Sequence, residues 1–321
     1  MVHADSPGTD QEPTPEFDEQ CINVIRQWQR GETPFKEAVA TITHLEQQAI
    51  QDGHLANQGR ANHLLGYIQH FRGNLETSIQ HYEKARGMFS RVGNARRVSA
   101  MDLNQGENYR YKGDFNRALR LYRTAYEISK EQQDLKVQTM ASLNEGLVLM
   151  TVGQNTSAVK AFTQTLELTA LWEDTDDRDL PSLLCEVQHG LAVTNLRQGS
   201  YDGAWAAALE ALTIARRIGE PFQNGYANRI MGEVVTELDS IPDPAFSNDP
   251  DDYFRAAMDA FRELNAEAEL ARTMHMQALS LARRGRRTTA ARKLQQVMII
   301  FTRLGMVDDA ARAAEAQLSV L

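Results

Sequence analysis

The chain has only two cysteines among 321 residues, Cys21 and Cys185, and they stand far apart on separate predicted helices. That scarcity excludes a disulfide framework and argues against metal ligation, so both read as small buried hydrophobes. Prolines number nine and almost avoid the helix-periodic stretches, and strand-like alternation is scarce. Proline inside a helix removes a hydrogen bond and clashes with the preceding turn, so its placement points to an all-α chain. No apolar run approaches the roughly 18 residues that a membrane-crossing helix requires. The start, Met1 to Pro7, has neither a basic region nor an apolar core, and the expectation is a cytoplasmic chain without membrane insertion.

Catalytic motifs are missing as well. There is no Gly-x-x-x-x-Gly-Lys phosphate loop, no Gly-x-Ser-x-Gly elbow and no His-Glu-x-x-His pair. His63 and His70 lie two helical turns apart and have no carboxylate or cysteine at i+3 or i+4 to complete a metal site. The chain therefore reads as a non-enzyme with no cofactor and no metal. Lys and Arg total 34 against 43 Asp and Glu, a net charge of −9 that repels a polyanion at long range. The basic run Arg283, Arg284, Arg286, Arg287, Arg292 and Lys293 spans a helix turn, where arginines complement the helix dipole. Its expected partner is an acidic protein patch rather than nucleic acid.

What the chain does contain is repetition. Gly73, Gly113 and Gly153 are 40 residues apart, each between two helix-periodic stretches. Gly66 is followed by Gly73, Leu75, Ser78, Tyr82 and Ala85; Gly106 by Tyr109, Gly113, Phe115, Ala118, Tyr122 and Ala125; Gly146 by Leu149, Gly153, Ala158, Phe162 and Thr165. The offsets return at Gly199 and Gly285, and Met231, Gly232, Phe254 and Ala257 supply a unit between them. A fixed period in this range means a stacked array. The small residues admit a second helix closely, while Tyr82, Tyr122, Phe162 and Phe254 fill the space between pairs. Each mid-unit glycine is the expected left-handed C′ residue of the first helix, with Asn74, Asp114 or Ser200 placed to cap the second. Gly93, Gly219, Asn265 and Gly305 are the expected stops of the second helices.

These residues resemble the tetratricopeptide repeat, with Gly106 to Ala125 and Gly66 to Ala85 matching it best. The period of 40 or more resembles the long-helix variant of Pins-type scaffolds, kinesin light chains and MalT-type sensor regions. The resemblance covers residues 17 to 321 and implies a right-handed superhelical solenoid of about seven antiparallel helix pairs with a C-terminal capping helix. Residues 1 to 15 read as a disordered tail. A degenerate pair is expected over 16 to 51, full pairs over about 55–91, 95–131, 135–171, 181–218, 221–264 and 267–304, and the cap over 306–319. Two acidic insertions break the period, Trp172 to Asp179 and Asp239 to Asp252, and neither has the glycine and glutamate of a calcium loop. Each reads as a solvated acidic loop, or as a lip or docking point.

Function is expected on the inner face, where the first helix of every pair lies. The residues predicted to line it are Tyr67, His70 and Phe71, then Asn104, Glu107, Arg110 and Tyr111, then Asn144, and further on Arg197 and Arg229. Asn104 and Asn144 share one helix position in successive units. The resemblance implies that they hold the main chain of a ligand, since an amide both donates and accepts. Arg110 is placed to meet a ligand carboxylate. The preferred reading is a binding scaffold for a protein or peptide segment. The alternative is a ligand- or peptide-sensing module, with a small-molecule effector, that controls a separate chain. A homo-oligomer through the terminal repeats stays open.

Overall fold

The computed structural model describes residues 11–30, 32–172, 180–238, 240–264 and 266–320. Fifteen α-helices and no strand occur among them. The chain divides into two compact units, Met1–Thr151 with Glu167–Leu171, and Val152–Leu166 with Trp172–Leu321. The first unit carries α1 (Pro15–Gln29), α2 (Phe35–Gln51), α3 (Leu55–Phe71), α4 (Leu75–Arg91), α5 (Ala95–Tyr111), α6 (Phe115–Glu131) and α7 (Leu135–Thr151). Most of α8 (Asn155–Thr169) belongs to the second unit, with α9 (Leu180–Arg197), α10 (Tyr201–Ile218), α11 (Pro221–Glu237), α12 (Pro250–Glu263), α13 (Glu267–Arg283), α14 (Arg287–Arg303) and α15 (Val307–Val320). No helix among the described residues is long and apolar enough to cross a membrane.

Punctuation by glycine explains why the helices end where they do. Gly53, Gly73, Gly93, Gly113, Gly153, Gly199, Gly219, Gly285 and Gly305 all take φ between 71° and 79°, a left-handed turn that reverses the chain at little steric cost to glycine. Gln133 occupies the same place after α6 with φ 56°, and is the non-glycine residue found there. Of the proposed caps, Asp114 accepts from the Arg117 backbone N–H, while Asn74 and Ser200 make no capping bond. Asn74 instead donates to Gln69 Oε1 at 2.8 Å, so its amide is diverted across the turn. Asn265, expected as a stop, lies outside the described residues.

Within each unit the second-neighbour packing falls on odd-numbered helices: α1 with α3 and α5 with α7, then α9 with α11, α11 with α13 and α13 with α15. Helices α2, α4, α6, α10, α12 and α14 lie against their chain neighbours. The small residues permit this closeness. A Cβ on Gly106 would stand 2.5 Å from Tyr122 Cε1, and one on Gly66 would stand 2.7 Å from Tyr82. Tyr122, Phe162 and Phe254 are fully buried. Cys21 and Cys185 are buried among apolar side chains, and burial pushes their thiols up to about 12 and about 11.

Two sequence expectations need correction. Residues 11 to 14 are not a loose tail: Asn94 Nδ2 donates to the Gln11 carbonyl at 2.9 Å, and the Thr14 N–H donates to Asn57 Oδ1 at 2.9 Å. Neighbouring asparagines thus satisfy backbone groups that composition alone assigned to solvent. The second acidic insertion is shorter than expected, because Pro250 opens α12 and Asp249 caps it through the Asp251 N–H. Its described part is also anchored: Phe246 packs edge-on to Trp205 at 5.9 Å, and Tyr253 donates to the Ser247 carbonyl at 3.1 Å. Residues 173–179 of the first insertion, and Asp239 of the second, lie outside the described residues.

Candidate functional site

In the first unit, α1, α3 and α5 bring their C-terminal turns side by side, each ending in or just after an aromatic residue. Tyr67 and Phe71 on α3 meet at 4.7 Å with their rings tilted by 55°, Trp28 of α1 meets them edge-on at 6.3 and 6.2 Å, and His70 bridges Phe71 (5.5 Å) to Tyr111 of α5 (5.3 Å). Arg110 lies over the Tyr111 ring at 4.7 Å. The result is a continuous aromatic ledge whose two outer rings are open to solvent, Phe71 at 62 % and Tyr111 at 60 %. Rings this exposed lose the burial that large apolar side chains normally gain.

Polar contacts hold the ledge from beneath. His70 Nδ1 donates to Asn108 Oδ1 at 2.6 Å, Asn108 Nδ2 donates to Ser78 Oγ at 2.8 Å, and Ser78 Oγ donates to the Gly66 carbonyl at 2.7 Å. Asn108 and Ser78 are fully buried, so the chain of bonds fixes the His70 ring in one orientation. Gln29 Nε2 donates to the Tyr67 hydroxyl at 2.8 Å.

Arg110 does not wait for a ligand carboxylate. Its Nε donates to Glu107 Oε2 at 2.9 Å, and the buried Tyr122 hydroxyl donates to the same oxygen at 3.0 Å. Glu107 stands three residues earlier on the same helix face, which makes the pair local. Asn104 is tied to His63, whose Nε2 lies 3.3 Å from its amide. Burial, with Arg60 and Arg97 nearby, pushes His63 down to about 3, so the ring is neutral. Arg60 Nη1, which can only donate, lies 3.2 Å from Nδ1. The ring thus lies between two side-chain nitrogens, Arg60 Nη1 at Nδ1 and Asn104 Nδ2 at Nε2, so the Asn104 NH2 is taken up by His63. Asn144 on α7 is half-buried, and its amide makes no hydrogen bond among the described residues.

Arg197 and Arg229 are in the other unit and join none of this. Arg229 is 8 % exposed, donates to Glu269 Oε2 at 2.7 Å and stacks on Tyr226 at 4.5 Å, so it is a structural ion pair rather than a ligand-facing cation. Arg197 is exposed at the end of α9. The basic run is also largely occupied: Arg284 reaches Asp251 at 3.0 Å and Asp249 at 3.3 Å, Arg286 reaches Asp251 at 3.7 Å, Arg283 pairs with Glu237, and Lys293 donates to Gln277 at 2.7 Å. The second acidic insertion and the basic run thus neutralise each other.

Residues 57–131 match the family model described as tetratricopeptide repeat. That segment carries tetratricopeptide repeats. No curated protein sequence matches it. Among solved structures it is similar to the apo form of RapI, with a TM-score of 0.69 and 14% identity over 94% of this chain and 99% of that one. It is similar to a Rap protein complexed with Competence and Sporulation Factor, with a TM-score of 0.59 and 12% identity over 96% and 98%. The apo form of the quorum sensor NprR from B. thuringiensis also has a TM-score of 0.59 and 12% identity, over 95% and 94%. At such identities the likeness is one of fold.

The tetratricopeptide register also shows what residue reading passed over. Asn108 stands where the other repeats carry Ile68 and Val148, so a polar residue in an apolar column was the available signal. Trp28 closes the first odd helix as Phe71 and Tyr111 close the next two. That repeat is too degenerate to align by its glycines.

Proposed function

We propose that this chain is a non-catalytic scaffold that binds a peptide or an extended protein segment on the odd-numbered helices of its first unit. The observation that carries this reading is the aromatic ledge, where Phe71 and Tyr111 are more than half exposed yet fixed by Trp28, Tyr67 and His70. Rigid, exposed aromatic side chains are what binding surfaces use as anchors, because few rotamers are lost on contact. The Asn144 amide supplies a donor and an acceptor suited to a ligand's main chain. Arg110, Glu107 and Tyr122 act as the base that holds Tyr111 in place. The fold neighbours agree in kind, since one is a Rap protein in complex with Competence and Sporulation Factor and another is a quorum sensor.

Selection of a displayed random heptapeptide library on the purified chain, followed by calorimetry of the enriched peptides, tests the proposal. A Phe71→Ala, Tyr111→Ala variant should keep its helical circular dichroism, because both residues are exposed, and should bind at least about tenfold more weakly. Equal affinity in the folded variant, or a library from which nothing is enriched, would overturn it.

A further inference from the structure

The second unit contains a cleft of about 330 Å³ lined by Leu196 of α9, Glu233, Thr236 and Glu237 of α11, Phe254 of α12, and Met276, Leu279, Ser280 and Arg283 of α13. Its walls are mostly apolar, and its polar residues are engaged with one exception. Thr236 Oγ1 donates to the Gly232 carbonyl at 2.7 Å and accepts from Ser280 Oγ at 2.7 Å, and Glu237 is paired with Arg283. Glu233 makes no hydrogen bond and no ion pair among the described residues, although it is largely buried. Arg229, one turn away on the same helix, is held by Glu269.

The setting is negative for a second reason. The cleft is lined by the last turns of α9, α11 and α13, which end at Arg197, Glu237 and Arg283. The C-terminal end of a helix carries partial negative charge from carbonyls without intrahelical partners. An anionic side chain there is in a disfavoured place, and a cation entering the cleft would relieve both the carboxylate and the helix ends. A volume near 330 Å³ lies at the small end of ligand sites, and the lining of Leu196, Phe254, Met276 and Leu279 suits a short alkyl stem.

We propose that this cleft is a binding site for an aliphatic cation, a guanidinium or ammonium on a short alkyl chain, with Glu233 as its counter-charge. The site does not rest on the aromatic ledge of the first unit and can succeed or fail without it. Burial pushes the Glu233 carboxyl up to about 7, with Glu237 adding to the rise and Arg229 and Arg197 opposing it. Arg283 of α13 is taken up by Glu237, α12 offers only Phe254, and no residue of α10 lines the cleft. A guanidinium keeps its charge throughout the neutral range, so the pH dependence of its binding reports on Glu233. Ionising Glu233 should tighten binding by about tenfold between pH 6 and pH 8.

Calorimetric titration of the full chain with agmatine, and with a blocked pentapeptide carrying one central arginine, tests the site. The citrulline version of the peptide serves as the uncharged control, and Glu233→Gln as the variant. At least one cation should bind the wild type, weaken at least tenfold in the folded variant and tighten with rising pH, while the citrulline peptide stays silent. Binding of agmatine would identify a free small cation as the ligand, and binding of the peptide alone would identify a basic side chain of a protein segment. Failure of both cations to bind, or equal affinity in Glu233→Gln, would overturn the proposal. A Phe71→Ala, Tyr111→Ala variant should bind the same cation unchanged, which separates this site from the ledge.

Discussion

Replacing His189 by phenylalanine should make the second unit more resistant to acid. Burial pushes His189 down from 6.5 to about 3, aided by Arg229 and Arg197 against the opposing effect of Glu269. Its Nδ1 is buried without a hydrogen-bond partner, and its ring meets Tyr226 edge-on at 5.8 Å. The folded protein thus keeps the neutral ring, whereas the unfolded chain takes up a proton near pH 6.5. Stability from this residue is complete above that pH and is lost as pH falls toward 3. At pH 5 the loss is about 2 kcal/mol, from 1.36 kcal/mol per unit over roughly one and a half units.

The whole chain will not show that figure directly, because other buried groups titrate too. His63 behaves like His189 in the first unit, while Glu233, raised to about 7, regains about 2 kcal/mol over the same fall from pH 7 to pH 5. The informative quantity is therefore the difference between wild type and His189→Phe in urea unfolding followed by circular dichroism. Phenylalanine keeps the edge contact and removes the unpaired nitrogen, worth up to about 1 kcal/mol at pH 7. From pH 7 to pH 5 the variant should gain about 2 kcal/mol on the wild type. A difference that stays constant across this range would refute the buried, neutral histidine.

Two further substitutions test the repeat's own logic. Gly106→Ala places a Cβ 2.5 Å from the buried Tyr122 ring, and overpacking should lower stability by about 1 to 3 kcal/mol in thermal or urea melts, despite alanine's better helix propensity. Gln133→Gly relieves the left-handed residue at the end of α6 (φ 56°) and should raise stability by up to about 1 kcal/mol, a gain that a differential melt would detect.

The fold was legible because its signals are local. A glycine that reverses the chain, and a small residue sixteen before an aromatic one, read the same in isolation as in the folded molecule, as Gly106 and Tyr122 show. The candidate site was legible only in part. Tyr67, His70, Phe71 and Tyr111 are placed on the inner face because inner positions recur with the period, Trp28 escapes that rule, and charge pairing is decided by what stands opposite. Arg229 stands at an inner position by its spacing, but Glu269, one repeat further on, takes up its charge. Arg284 and Asp251 are joined across an interrupted register that no spacing rule reaches. Arg110 and Glu107, three residues apart on one helix, have the spacing of a pair, yet the sequence reading gives Arg110 to a ligand carboxylate. Glu233 is not singled out by spacing, since its lack of a partner is a property of three helices together.

The insertion before α12 is fastened by two forces that respond oppositely to its surroundings. Asp249 and Asp251 hold Arg284 and Arg286 through charges near the surface, which added salt screens. Phe246 rests on Trp205 and under Arg216, an apolar contact that salts of the sulfate type strengthen. Neither clasp has to carry the segment alone over a range of ionic strength. A stretch whose composition suggests solvent therefore keeps its course when the medium changes.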